Sequence, residues 1–358
     1  MNYSYRFPAV SGLQAGNEYY ISMVPLKLLP RLFPPEDEYV PPEYRAQRRI
    51  NEARIPEITK YILDNRENYV FSALSASIDG NFSFLSNPGS NAGILEIDMS
   101  SVFMINDGQH RKAAIEAAML EDPSLGEETI PIVFFKDDGL SRSQQMFTDL
   151  NKHAVRTSNS LATLYDGRDE IAVATRHVID SVPFFQRYTD KERDILGKNS
   201  SNLFTLNMIY KSNQRILHGN LCSEIDLQFL IEYWNAVAKN IPEWNEVMSR
   251  ALTKKALREN YIVCLAVTIN AFGRLGRYFY DHSELDMEKY LSRLHVIDWA
   301  RTCSQNWSGR TILENGKIAS SEEAVLLTCS KIKELIGVDL SREELVRERK
   351  LDKGNDHV

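Results

Sequence analysis

Five consecutive residues with chemically capable side chains, Asp107-Gly108-Gln109-His110-Arg111, lie between an apolar run and an alanine-rich run. We call residues 107–111 the DGQHR motif. The apolar run at 102–106 predicts a buried strand, and the run at 112–120 predicts a helix. Gly108 permits a sharp turn, after which the helix begins with unpaired N–H groups and the positive end of its dipole. Such a terminus binds anions, above all phosphates.

The side chains of the motif add to this chemistry. His110 and Arg111 supply donors, and the Arg111 guanidinium can fork onto two phosphate oxygens. Asp107 would repel a bare phosphate, so its predicted roles are to cap the helix or to hold a ribose or a metal ion. The alternative is a purely structural corner, because a strand–glycine–helix junction with a capping aspartate needs no ligand.

The motif resembles that of the DGQHR-domain proteins, and three further segments are similar to the DndB family. These segments are residues 45–48, 53–58 and 69–74. Proteins of that family are encoded with bacterial DNA phosphorothioation genes, and the resemblance extends over most of the chain. It implies an accessory role in DNA sulfur modification, in company with the other phosphorothioation proteins.

The motif also resembles the phosphate-binding turn of the ParB/sulfiredoxin-like fold. There, a Gly-x-x-Arg or Gly-x-His-Arg turn, followed by a small residue three positions on, holds nucleotide phosphates. The residues here that fit this pattern are Gly108, His110, Arg111 and Ala114. The resemblance implies ATP or another nucleoside triphosphate as the ligand, with Gln109 also at its phosphates and Mg²⁺ as a further candidate.

Two other segments contribute candidate residues. A polar cluster after a predicted helix at 141–150 resembles an Asn-Lys segment of DGQHR-type proteins, which implies that Asn151 and Lys152 contact phosphates. Asp149 would then hold a metal ion beside Asp107. The alternative is an ordinary cationic helix end.

A helical stretch at 43–64 is locally basic. The family resemblance runs through Arg54, which is predicted to reach the phosphate turn, while Arg48 and Arg49 are predicted to face DNA. Lys198, in a polar run, is a further candidate for the DNA backbone. For the arginines of the helical stretch, the alternative is a solvated helix face. For the polar run of Lys198, the alternative is a helix N-cap.

The fold class predicted is α+β: a ParB/sulfiredoxin-like mixed-sheet domain at 1–160, followed by a mainly α-helical domain at 161–358. Residues 1–16 show little periodicity and are expected to lie on the surface or to pack late in folding. The motif's strand and helix with the strand at 129–136 predict a parallel crossover unit. The stretch at 253–280 is predicted to be the central helix of the second domain.

Composition limits the function classes. The formal net charge of −7 excludes a protein coated in basic charge, so DNA binding must use a local, salt-sensitive patch. The four cysteines lack the close spacing of a zinc site or a redox dithiol. No apolar run approaches the roughly 20 residues of a membrane span, and no export pattern is present, so a cytoplasmic location is expected.

The two resemblances imply a DNA-binding transcriptional regulator of the modification genes, acting on the promoter of its own locus and carrying a nucleotide site at the motif. A homo-oligomer is left open. One alternative is an ATP hydrolase of the modification complex, with Asp107, His110 and Arg111 as catalytic residues. Gly108 is not followed by the Gly-Lys-Ser/Thr ending of a Walker A motif. Gln109 occupies the position where a sulfiredoxin-type reaction requires cysteine, so that chemistry is not expected. The other alternative is a non-catalytic scaffold.

Overall fold

The computed structural model describes residues 3–34, 51–137, 157–198, 200–219, 222–313 and 315–355, and between these ranges residues 139, 142, 145, 146 and 148–150. The chain divides into two compact units, residues 1–155 and 156–358. A mixed sheet in the first unit and helices in the second confirm the predicted α+β class with a helical C-terminal part. Among the described residues, no helix combines the length and apolar character needed to cross a membrane.

The first unit is built on a seven-stranded sheet in the order β4-β5-β1-β2-β7-β3-β6. Its strands are β1 (Ser4–Gln14), β2 (Asn17–Pro25), β3 (Leu74–Asp79), β4 (Phe82–Ser86), β5 (Ala92–Asp98), β6 (Val102–Asp107) and β7 (Thr129–Lys136). Its helices include α1 (Leu29–Leu32), α2 (Ile55–Asp64) and α3 (Gln109–Glu121), with 3-10 turns at Leu26–Leu28, Glu52–Arg54 and Pro123–Glu127.

The sheet curls around its own core. Tyr5 of β1 meets Phe103 of β6 edge to face, with ring centroids 6.0 Å apart, although three strands separate β1 from β6 in the sheet. Phe103 and Phe7 both contact Phe134 of β7. The buried face of α3, which includes Ile115, closes the same core.

The weak periodicity of residues 1–16 did not indicate β1, which lies inside the sheet between β5 and β2. Apart from Phe7 and Ala9, the residues of this strand are exposed or half-buried. Pro8 concealed the strand pattern, since proline cannot donate to a ladder on both sides. In the structure Pro8 is paired with Ile94 of β5, and the pairing with β2 begins only at Ala9. The proline therefore occupies a position with one strand neighbour.

The predicted parallel crossover was wrong. β3 lies between β6 and β7, parallel to β7 and antiparallel to β6, so β6 and β7 run in opposite directions. A strand–helix–strand pattern cannot show that another strand of the chain enters between its two members. As a consequence, the carboxyl end of β6 lies beside the amino end of β3, where Asp107 is paired with Ser75.

The described residues of the second unit are mainly helical, and they include a two-residue parallel pair, β8 (Thr189–Asp190) and β9 (Phe204–Thr205). Its described helices are α4 (Asn159–Tyr165), α5 (Glu170–Ser181), α6 (Pro183–Tyr188), α7 (Leu206–Leu217), α8 (Glu224–Asn240), α9 (Pro242–Met248), α10 (Lys254–Asn260), α11 (Ala266–Asp281), α12 (Met287–Leu291), α13 (Ser304–Trp307), α14 (Glu322–Ile336) and α15 (Arg342–Asn355). A 3-10 turn covers Ser292–Val296. All four tryptophans, Trp234, Trp244, Trp299 and Trp307, are buried in its core.

The predicted central helix at 253–280 is two helices, α10 and α11, because the intrahelical hydrogen bonds are interrupted at Ile262. The backbone N–H of Ile262 donates to the Trp299 carbonyl, which replaces a bond within the helix. α11 nevertheless occupies the centre of the unit, packed on α7 and α14. Its Gly273 allows this approach, since a Cβ there would lie 2.6 Å from the Ser212 hydroxyl oxygen.

Candidate functional site: the strand-to-helix turn at residues 107–111

The DGQHR motif forms a tight turn whose conformation requires glycine. β6 ends at Asp107, α3 begins at Gln109, and Gly108 between them has φ = 104°, in the left-handed region. A Cβ at Gly108 would lie 2.3 Å from Cδ2 of Leu74, which is fully buried. Both the backbone angle and the lack of space therefore exclude a side chain here.

No described side chain caps the first helical turn of α3. Gly108 is its N-cap residue, and the first turn contains no acidic residue. The N–H of Lys112 makes the first intrahelical bond, to the Gly108 carbonyl. The N–H groups of the three preceding residues have no intrahelical acceptor, as at any helix start, and the positive end of the dipole adds to them. This arrangement suits an anion.

The Arg111 guanidinium is held by protein acceptors. Nη1 donates to the carbonyl oxygens of Ser72 and Ala73 at 2.7 and 3.0 Å, and also to the Ser72 hydroxyl. Nη2 donates to Asp107 Oδ2 at 2.6 Å. Arg111 thus fastens the segment that leads into β3 to the turn.

This contact also explains how an acidic residue is accommodated beside the first turn of α3. The Asp107 carboxylate is paired with Arg111, so its negative charge is opposed by a cation four residues along. The side chain of Asp107 is 42% exposed, whereas that of Arg111 is 17% exposed. The arginine is therefore the buried member of the pair, and the carboxylate faces partly outward.

His110 joins the motif to the helix α2 region. Its Nε2 accepts a hydrogen bond from the backbone N–H of Asn51 at 3.1 Å, so a neutral ring carries its proton on Nδ1. Asn51 caps the 3-10 turn Glu52–Arg54, which brings the segment of Arg54 to the motif. Arg54 itself is exposed. The structure therefore places this predicted residue in the neighbourhood of the turn.

The other candidate residues are less closely connected with the motif. Asp149 is exposed and accepts a hydrogen bond from Gln145 at 2.7 Å, and Lys198 is an exposed residue of the second unit. Within the described residues, no group of three or more His, Cys, Asp or Glu side chains could hold a metal ion, so the site at Asp107 and Asp149 stays a prediction. The candidates that lie outside the described residues are Arg48, Arg49, Asn151 and Lys152.

The structure adds a β-bulge that sequence reasoning missed. Ser75 is paired with Asp107 and Ala76 with Ile105, which leaves Asn106 as the extra residue of β6. Asn106 is 1% exposed and donates to the Ser77 hydroxyl at 2.6 Å. Its Oδ1 has no hydrogen-bond partner in the part of the chain that the structure describes. A lone asparagine in an apolar strand was the available signal.

Comparison with known proteins agrees with the family resemblance. A family model described as DndB, DNA-sulfur modification-associated, matches residues 7–339 of the 358. No curated protein matches the chain, and no solved structure matches it.

Proposed function

Since this chain belongs to the DndB family and so to the proteins of DNA sulfur modification, we propose that it is a DNA-binding regulator of the modification genes. In this proposal a nucleoside triphosphate bound at the DGQHR motif controls DNA binding. Control of this kind requires that the nucleotide bind the DNA-bound and DNA-free states with different affinity. The other modification proteins are its proposed partners.

The uncapped N-terminus of α3 carries the nucleotide part of the proposal. Phosphate oxygens accept from the backbone N–H groups of Gln109, His110 and Arg111, and the left-handed Gly108 makes the turn after which these groups begin the helix. Arg111 holds the turn through Ser72, Ala73 and Asp107. Arg54 approaches from the neighbouring segment, and Asn151 and Lys152 complete the proposed phosphate contacts.

Magnesium and DNA have separate proposed positions. Mg²⁺ enters with the nucleotide phosphates, on the partly exposed carboxylate of Asp107 and on Asp149. DNA contacts the basic residues Arg48, Arg49 and Lys198. Since the chain carries a net charge of −7, DNA contacts are confined to such basic positions, and the affinity for DNA falls steeply with salt.

A charge placed in the first turn of α3 tests the phosphate site. Gln109→Glu adds a carboxylate that favours the helix dipole and therefore leaves folding intact. The same carboxylate, roughly 6 Å from a bound phosphate, weakens the binding free energy by about 3 kcal/mol per phosphate charge at an effective dielectric of about 20. Titration calorimetry with ATP, CTP and GTP in Mg²⁺ should show at least about tenfold weaker binding of the preferred nucleotide.

Leu120→Glu is the matched control, because it adds the same charge to an 87% exposed position near the other end of α3. The two positions are about 17 Å apart along the helix, so this variant should bind nucleotide normally. The titrations are repeated with promoter DNA of the protein's own locus, and phosphate release is measured to test for ATP hydrolysis. Wild-type protein that binds no nucleotide, with or without DNA, would refute the site and leave a structural corner.

A further inference from the structure

A cavity of about 350 Å³ lies in the first unit, beside the segment that Arg111 holds. Tyr69, Val70 and Phe71 line one side of it. Ile115 of α3 and Glu128, at the start of β7, line others. Its volume falls in the range of roughly 300–1,000 Å³ that is typical of small-molecule sites.

The cavity and the DGQHR motif share two structural elements. Ile115 is four residues after Arg111, so the two side chains lie on one face of α3, about 6 Å apart along its axis. Tyr69 to Phe71 directly precede Ser72 and Ala73, whose carbonyls bind Arg111. Along the axis of α3, the Ile115 wall of the cavity therefore lies about 6 Å from Arg111 and about 9 Å from Gln109, two of the residues whose N–H groups are proposed to bind phosphate.

The walls of the cavity are suited to a flat heterocycle. The rings of Tyr69 and Phe71 meet edge to face, with centroids 5.7 Å apart, and Ile115 and Ile130 add apolar surface. Aromatic walls of this kind stack on nucleobases of any sequence. Val70 is 77% exposed, so the aromatic part of the cavity is reached from solvent past an apolar side chain.

One wall carries fixed donors and acceptors. Glu128 accepts from Arg66 Nη1 at 2.7 Å and from the Tyr69 hydroxyl, and Arg66 Nε also binds Asp122 at 2.7 Å. Burial, and then the bond to Glu128, raise the pKa of Tyr69 to about 12, which keeps its hydroxyl protonated. The wall thus offers a carboxylate and a guanidinium whose positions are set before a ligand arrives.

We infer that this cavity binds a nucleobase, namely the base of the nucleotide whose phosphates lie at the DGQHR motif. The assignment rests on the proposed function for its link to the phosphates, and on the cavity itself for the base. The ribose spans the one helical turn between Ile115 and Arg111. The polar edge of the base is paired with the Arg66–Glu128 wall, and its faces contact the aromatic wall.

Val70→Trp tests this inference, because a bulky ring at this exposed position fills the cavity without disturbing the core. Val102→Trp is the matched control: Val102 is 62% exposed and lies at the opposite end of β6 from the motif. The ligands are adenosine, cytidine and guanosine as bases without phosphate, inorganic tripolyphosphate as phosphates without base, and the matching triphosphates. Binding is measured by titration calorimetry.

The expected result is that one nucleoside binds wild type and Val102→Trp, and binds Val70→Trp at least about tenfold more weakly. Tripolyphosphate should bind all three alike and lose affinity only in Gln109→Glu. Tripolyphosphate binding without any nucleoside binding, or with triphosphate affinity unchanged in Val70→Trp, would overturn the inference and leave the phosphate site standing. Nucleoside binding lost in Val70→Trp, without tripolyphosphate binding, would support the base cavity and refute the phosphate site.

Discussion

Replacing Arg111 with alanine should destabilise the first unit in the complete absence of nucleotide. The variant loses the bonds from Nη1 to the Ser72 and Ala73 carbonyls and the pair with Asp107. Each carbonyl bond contributes a net of about 1 kcal/mol. The pair with Asp107, whose side chain is 42% exposed, contributes less than about 1 kcal/mol after solvent screening. The expected loss is therefore about 2–3 kcal/mol.

Urea denaturation of ligand-free protein measures this loss, and hydrogen exchange of the amides at 72–75 locates it. Arg111→Lys should recover less than half, because one ammonium cannot reach both carbonyls and the carboxylate. Arg54→Ala, at an exposed position, is the control and should stay within about 0.5 kcal/mol of wild type. Unchanged stability and exchange in Arg111→Ala would refute the assignment of this arginine as the tie between the turn and β3.

The structural role of Arg111 limits what nucleotide-binding experiments on Arg111→Ala can show. If Arg111 builds the turn, Arg111→Ala loses nucleotide binding whether or not the arginine contacts phosphate. Loss of binding in that variant therefore cannot distinguish a ligand contact from a collapsed turn. Gln109→Glu distinguishes them, because it changes charge at the helix start and leaves the guanidinium contacts in place.

Three further substitutions test other parts of the structure. Gly108→Ala should lower the free energy of unfolding by more than about 2 kcal/mol, measured by thermal denaturation, since it combines a positive φ with a clash on Leu74; a loss below about 0.5 kcal/mol would contradict the turn geometry. Lys333→Met should lower the free energy of unfolding by about 3–5 kcal/mol, because it leaves the 3% exposed Glu344 without its cation. Adding Glu344→Leu should restore most of this loss, and chemical denaturation measures both variants. Burial raises the pKa of Glu243 to about 7, so its neutral form stabilises the fold below about pH 4.5, and that contribution is lost as pH rises through 7. Glu243→Gln should therefore flatten the fall in melting temperature between pH 5 and pH 8, and parallel profiles would contradict the assignment.

Local patterns in the sequence were sufficient to predict the elements around the motif. The strand at 129–136 coincides with β7, and the predicted helix at 112–120 lies inside α3, because apolar residues recur there at the spacing that each structure requires. The neighbours of these strands could not be predicted. The insertion of β3 between β6 and β7 is a long-range pairing that no local pattern encodes.

At the candidate site, too, local features could be predicted from the sequence and long-range contacts could not. Gly108 and its positive φ follow from the need for a turn before a helix, which the residue types indicate directly. The acceptors of Arg111 do not follow, because the carbonyls of Ser72 and Ala73 belong to the backbone and any residue type could supply them. The contact between Asn51 and His110 could not be predicted for a related reason, since Asn51 uses its backbone N–H.

The structure gives four of the five motif residues a role in building the turn. Gly108 supplies its angle, Arg111 ties it to β3, Asp107 pairs with Arg111, and His110 accepts from Asn51. Gln109 is different: in the described part of the chain its side chain makes no hydrogen bond, although it occupies the first position of α3. Gln109 is for that reason the position where a change tests binding with the least disturbance of the fold.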